Sequence, residues 1–233
     1  MLTVREVSKR FGTIAALKDV SFNLNRGEIT AIIGPNASGK TTLLNVISGY
    51  YRPDNGKIHF EGAEIVGLKP YQIARAGIGR TFQVVRLFAN MTVFENVMAA
   101  THKSSSGSEV ERKAEKLLRF VGLEELRDEY ARNLSGGQQR LLEFTRTLMI
   151  DPKLILFDEV TSGVNPEMIG KLLGMIEMLN RDALTVLMVE HNMAVAMTFC
   201  RRVLVLSEGE LIADGSPKEV QQNERVLEAY LGV

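Results

Sequence analysis

Eight residues, Gly34-Pro35-Asn36-Ala37-Ser38-Gly39-Lys40-Thr41, limit what this chain can fold into more than any other stretch. They fit the spacing G-x-x-x-x-G-K-[ST]. They also lie where that spacing has meaning, after the dense apolar run Glu28–Ile33 and at the start of a helix read from Gly39 to about Gly49. A strand that turns at glycine into a helix aims backbone N–H groups and the positive end of the helix at one point, which makes a cradle for phosphate. Lys40 is expected to bridge the outer phosphates and the Thr41 hydroxyl to ligate magnesium.

The rest of the chain is read around that unit. With 233 residues there is room for one large domain or one domain carrying a smaller inserted lobe. Hydrophobic residues make up 45% and charged residues 24%, and no apolar stretch approaches the roughly 18 residues that would suggest a membrane span. The start, Met1 to Glu6, lacks the basic and then apolar pattern of a secretory signal, so the chain is expected in the cytoplasm, where ATP is available. A formal charge of zero removes the long-range attraction to phosphate backbones, and nucleic acid is not expected as a partner. One cysteine, Cys200, and the scattered His59, His102 and His191 exclude a disulfide within the chain and a clustered zinc site.

Leu2–Val7 and Val20–Leu24 alternate apolar and polar residues and read as strands, and two short strands flank the turn at Glu61-Gly62. Pro70 to Val97 reads as short helices and loop. Ser104–Ser108 is a flexible connector, followed by an amphipathic helix with Val110, Ala114, Leu117, Leu118 and Val121 on one face. A further helix runs from Gln138 to about Asp151-Pro152. Then Leu154–Phe157 reads as a buried strand, Pro166 to Asn180 as a helix and Leu184–Val189 as another buried strand. Alternating strands and helices predict a parallel sheet covered on both sides, which the helical stretch between Gln83 and Ser135 interrupts as an inserted lobe.

Leu154-Ile155-Leu156-Phe157-Asp158-Glu159 is an apolar strand ending in two carboxylates, at the edge where a nucleotide-binding sheet needs acids. Asp158 is expected to hold magnesium, directly or through water, and Glu159 to serve as general base for the attacking water. Leu134-Ser135-Gly136-Gly137-Gln138 has two readings: a helix cap at Ser135 with glycines that permit the turn, or an anion site of hydroxyl and N–H groups at a helix start.

With that last motif the chain resembles the ABC ATPase family, whose signature is LSGGQ at a helix start, and the resemblance covers essentially its whole length. It implies an α/β fold: a phosphate-loop NTPase core with a mixed, mainly parallel sheet, an N-terminal antiparallel β subdomain and an inserted helical subdomain. The implied division is one ATPase domain over 1–233, with about 1–82 and 152–233 forming the RecA-like core and β subdomain, and about 84–151 the helical subdomain. The implied ligands are ATP and Mg2+, the phosphate-binding set extending through Thr42, with Ala16 beside the nucleotide and Phe11 stacking on adenine. Gln83 matches the Q-loop glutamine, a catalytic and magnesium-sensing residue, and His191 matches the switch histidine that contacts the γ-phosphate. In the family Ser135, Gly136, Gly137 and Gln138 close on the nucleotide held by another chain, which implies a dimer. The chain departs from the pattern at Ala37, where glycine is common, at Val160, usually proline, and at Asn165, often aspartate. Asn165-Pro166 also reads as a helix N-cap followed by proline at the first helical position.

At finer grain the chain resembles the subfamily that energises branched-chain amino-acid uptake, through Ile47–Pro53, Arg80–Gln83 with Arg86-Leu87-Phe88, Gly163–Pro166 and Glu228–Gly232. The resemblance implies a subunit at the cytoplasmic face of the membrane. Its partners would be integral-membrane permease subunits, a second copy or a related ATPase subunit and, indirectly, a substrate-binding protein. Val84, Leu87, Phe88 and Met91 either receive a permease helix or pack into the helical lobe. The alternatives are an ATPase of a lipopolysaccharide-export system and a nucleotide-gated regulatory protein with little turnover.

Overall fold

The chain opens with two long strands, β1 (Leu2–Phe11) and β2 (Ile14–Leu24), paired antiparallel across a turn where Gly12 has φ 59°. In this computed structural model, which describes residues 1–101, 107–163 and 165–231, β3 (Ile29–Ile33) then leads into α1 (Lys40–Ile47). Strands β4 (Asn55–Phe60) and β5 (Ala63–Glu64) complete a four-stranded antiparallel sheet in the order β2-β1-β4-β5. Next come α2 (Pro70–Ala76), β6 (Ile78–Arg80), α3 (Val93–Met98), α4 (Gly107–Val121) and α5 (Gly136–Leu148). The chain ends with β7 (Leu154–Asp158), α6 (Pro166–Arg181), β8 (Thr185–Val189), α7 (Met193–Phe199), β9 (Arg202–Ser207), β10 (Glu210–Gly215), α8 (Pro217–Gln221) and α9 (Glu224–Leu231). The six-stranded sheet has the order β10-β9-β3-β8-β7-β6 and is parallel except for the β9–β10 pair, so the expected mixed, mainly parallel sheet and N-terminal antiparallel sheet are both present.

Side chains alternate across a strand, and here both faces of the large sheet are apolar. Ala31, Ile155, Phe157, Val186, Met188, Val203 and Val205 face a cluster built with α3 to α7. Their neighbours Ile32, Leu154, Leu156, Leu187, Val189, Leu204 and Leu206 face the other way, against Leu43, Leu44 and Ile47 of α1 and the inner face of the antiparallel sheet. Each such aliphatic side chain contributes about 1.5–3 kcal/mol relative to exposure. With both faces covered, only the strand ends remain for polar chemistry.

The two long strands extend beyond the alternation that marks them in the sequence. Register shifts between Val4 and Val7, Val7 and Lys9, and Lys9 and Arg10 interrupt the period of two, so the alternation marks only Leu2–Val7 and Val20–Leu24 although both strands continue through the hairpin. Strand β6, only three residues long, is equally hidden in the stretch read as short helices and loop. Helix α4 buries Val110, Ala114, Leu118 and Val121, with Leu117 partly buried beside them. Of the connector read at Ser104–Ser108, residues 104–106 lie outside the described residues, as do Val164 and Gly232, whereas Gly107 and Ser108 already belong to α4. No helix among the described residues is long and apolar enough to cross a membrane.

Phe144 of α5 and Phe157 of β7 pack at a 43° tilt with ring centroids 5.8 Å apart, both fully buried, and fasten α5 to the sheet. Phe144→Ala is expected to lower stability by about 3–5 kcal/mol, read from the urea midpoint at unchanged slope. A loss under 1 kcal/mol would mean that α5 is held elsewhere.

Candidate nucleotide site

The loop between β3 and α1 is held by close backbone approaches that only glycine allows. A Cβ on Gly34 (φ +150°) would sit 1.9 Å from the Leu206 carbonyl oxygen, and one on Gly39 (φ +104°) 2.4 Å from that of Ala16. Ala37 has φ 62°, so the alanine here takes a conformation that glycine reaches more cheaply. The Lys40 ammonium is buried and donates to the carbonyl oxygens of Gly34 at 2.9 Å and Pro35 at 2.7 Å and to Ser38 Oγ at 3.3 Å. Burial lowers its pKa, while Glu159 and Asp158 act in the opposite direction.

At the carboxyl end of β7 the two acids diverge. Asp158 is buried, its Oδ1 accepting from Thr41 Oγ1 at 3.4 Å and its Oδ2 from Arg80 Nη2 at 3.0 Å. Glu159 turns away from the strand in the left-handed region, with φ 52°, and its N–H donates to the Val189 carbonyl at 3.0 Å. Its Oε2 accepts from Gln83 Nε2 at 2.8 Å, and its Oε1 lies 2.7 Å from His191 Nε2, which donates when the carboxylate is ionised. A cavity of about 660 Å³ is lined by Ala16, Asn36, Ala37, Ser38, Gly39, Lys40, Thr41 and Thr42 together with Glu159 and His191. Ile14, Ala15, Lys18 and Glu208 line it too; they were missed because they come from the hairpin and the β9–β10 turn, which carry no motif.

Gly34 and Pro35 hold this loop from beneath and are not among the lining residues. Phe11 is half-exposed at the hairpin tip, edge-on to Tyr51 with centroids 5.2 Å apart, and also lies outside the lining. Ser135 to Gln138 sit apart at the start of α5, where Ser135 Oγ accepts from the Gln138 N–H at 3.3 Å and Gln138 Oε1 from the Ser135 N–H at 2.8 Å. Among the described residues no hydrogen bond joins them to the phosphate loop of the same chain. Asn165 caps α6, its Oδ1 accepting from the Met168 N–H at 2.8 Å with Pro166 following, and Val160 is buried in the core.

Helix α5 supports the loops behind the site through residues that sequence reasoning left aside. Arg140 donates to the Ser162 carbonyl at 2.6 Å, Glu143 accepts from the Arg86 N–H at 3.2 Å, and Arg146 donates to the Arg86 carbonyl. Beside them a second cavity, of about 640 Å³, is lined by Tyr50, Arg80, Phe82, Arg86, Phe88 and Arg146 among others. The four apolar residues after Gln83 divide between the two readings. Val84 and Phe88 are exposed, Leu87 packs on the core, and Met91 is half-buried.

For magnesium, the donor set fits. A hydroxyl and a carboxylate oxygen meet at the edge of a phosphate loop, hard oxygen ligands of the kind that complete a magnesium shell together with substrate phosphates.

Glu190, between β8 and His191, is fully buried and accepts from Thr161 Oγ1 at 2.6 Å. Burial raises its pKa above the ordinary 4.5, against the hydrogen bonds from Thr161 and Asn192. The folded chain therefore holds this proton more tightly than the unfolded one, and this group's contribution to stability falls as pH rises from below the ordinary value through the raised one. Glu190→Gln, which keeps an acceptor for Thr161, is expected to gain melting temperature over the parent at pH 8 and to lose that advantage near pH 4.5. A difference that does not change with pH would exclude this ionisation as its source.

The chain is similar to known proteins along its whole length. The family described as ABC transporter matches residues 17–162, and that described as branched-chain amino acid ATP-binding cassette transporter matches residues 210–233. The probable branched-chain amino acid transport ATP-binding protein LivG of Archaeoglobus fulgidus is 39% identical, covering 100% of this chain and 95% of its own. The high-affinity branched-chain amino acid transport ATP-binding protein LivG of Salmonella typhimurium is 37% identical, covering 100% and 98%. Among solved structures, a nucleotide-free ATP-binding cassette from an ABC transporter superposes with TM-score 0.91 at 34% identity over 100% of this chain and 99% of its own. A dimeric bacterial ABC transporter cassette does so with TM-score 0.84 at 30% identity over 93% and 99%.

Proposed function

The chain belongs to the ABC transporter family as an ATP-binding, ATP-hydrolysing subunit, and on that premise we propose that it powers uptake of branched-chain or other hydrophobic amino acids through ATP-driven closure of a dimer. The observation that carries the reading is the meeting of Lys40, Thr41, Asp158, Glu159, Gln83 and His191 around one phosphate loop, through the contacts at Glu159 and Asp158. In this reading Lys40 and the backbone of Asn36 to Thr42 bind the phosphates, with Ala16 and Phe11 on the adenine side. Glu159, oriented by Gln83 on one oxygen and His191 on the other, accepts a proton from the attacking water. Thr41, Asp158 and Gln83 would hold magnesium, whose charge supplies neutralisation of the phosphate oxygens. Ser135 to Gln138 serve the nucleotide of a second chain, identical or related, because their anion-binding helix start lies away from the loop of their own chain. Loss of the γ-phosphate then removes what the closed dimer binds better than the open one.

The lobe from about 84 to 151 and the aromatic, arginine-rich cleft beside Gln83 form the contact to integral-membrane permease subunits at the cytoplasmic face, with Val84 and Phe88 offered to them. A substrate-binding protein acts on this subunit only through the permease.

Magnesium-dependent hydrolysis measured across protein concentration tests the reading. Activity is expected to rise more steeply than linearly with concentration, and Glu159→Gln to lose at least about a hundredfold in kcat while forming ATP-dependent dimers in gel filtration. A parent chain that binds ATP but neither hydrolyses it nor dimerises at any concentration would overturn the mechanism.

A further inference from the structure

We propose that Arg80 is a positioning residue that sets which oxygen of the Asp158 carboxylate faces Thr41. The inference rests on the reading of Asp158 as a magnesium-holding residue. Arg80 ends β6 directly beside β7, where it is in register with Leu156, so its side chain runs along the strand end that carries Asp158. Both side chains are buried, 7% and 3% exposed, and Nη2 takes Oδ2 at 3.0 Å. The other terminal nitrogen, Nη1, donates to Ser48 Oγ at 2.5 Å, just past the last turn of α1, the helix that begins at the phosphate loop. The guanidinium carbon also lies 5.4 Å from the Tyr50 ring centroid and 5.1 Å from that of Phe82, two rings of the second cleft that meet edge to face 5.7 Å apart and together wall one side of it.

One planar group thus joins the end of α1, the end of β7 and the cleft wall. With Oδ2 engaged by a charge-assisted bond, Oδ1 is the oxygen turned to Thr41. A buried ion pair adds little stability over a well-packed apolar pair, so orientation is the return for burying these two charges. Lysine, a compact point charge, lacks the planar fork whose separate nitrogens reach Asp158 and Ser48 while its flat face lies beside the two rings.

The test is binding of a non-hydrolysable ATP analogue by calorimetry, in EDTA and then with magnesium, for the parent chain, Arg80→Met, Arg80→Lys and Ser48→Ala. In EDTA all four are expected to bind within about twofold of one another. The affinity gained on adding magnesium is expected to fall about tenfold in both Arg80 variants, the size of effect typical of residues that orient metal ligands, and about twofold in Ser48→Ala. Ser48→Ala and Arg80→Lys keep the test alive if Arg80→Met does not fold, since the first leaves the ion pair in place and the second keeps a positive charge. Arg80 variants that retain the full magnesium-linked gain would overturn the inference and leave the reading of Asp158 standing. Parallel losses with and without magnesium would overturn it in favour of a general structural role. A parent chain with no magnesium-linked gain would remove the reading of Asp158 itself, and the inference with it.

Discussion

The structure depends on a sheet whose strands are apolar on both faces. Strands β3, β7, β8 and β9 place successive residues on opposite sides, and neither side can be left to water. One side is closed by α1 and the antiparallel sheet, the other by helices that include α4 and α5. Once both faces are covered, the polar groups that do chemistry can sit only where strands stop. The phosphate loop follows β3, Asp158 ends β7 with Glu159 next, Arg80 ends β6, and Glu190 and His191 follow β8. The common edge is a product of packing before it is a product of chemistry.

The loops at that edge are tied to one another as well as to the strands that carry them. Arg140, Glu143 and Arg146 lie along one side of α5 and hold residues 86 and 162 through their backbone atoms. Glu190 holds Thr161, and Glu159 joins Gln83 to His191. Helix α5 thus reaches the backbone at Gln83, Arg86 and Ser162, so one helix braces loops on both sides of Glu159.

Much of the fold was legible because its period is simple. The runs at Glu28–Ile33, Leu154–Phe157 and Leu184–Val189 and the stripe of α4 stand within a residue or two of the strands and helix that form. The hairpin of β1 and β2 was only half legible, since bulges at Val7 and Lys9 break the alternation that announces a strand. Strand β6 is too short to carry a pattern. At the site, residue types in fixed spacing pointed to Lys40, Thr41, Asp158 and Ser135, whereas Arg80 stood only within a subfamily phrase with no role attached and Glu143 belongs to no spacing. Their meaning comes from partners 78 and 57 positions away, a relation that arises only in three dimensions. Lys18 and Glu208 came into the cavity lining by the same route.

The cap at Ser135 realises one of two readings that the sequence leaves as rivals, in a form that leaves room for the other. Its Oγ accepts the Gln138 N–H through a lone pair, so the hydroxyl's own hydrogen is not what makes the cap. An anionic oxygen that takes this hydrogen draws electron density toward Oγ and strengthens the bond Oγ accepts, by the same polarisation that makes chains of hydrogen bonds cooperative. The first turn of α5 and whatever anion meets it then stabilise each other, and by reciprocity a chain that loses the cap weakens its hold on the anion even with the hydroxyl still in place. What helix stability and ligand affinity would share at this one oxygen is their coupling free energy, one quantity read from two ends.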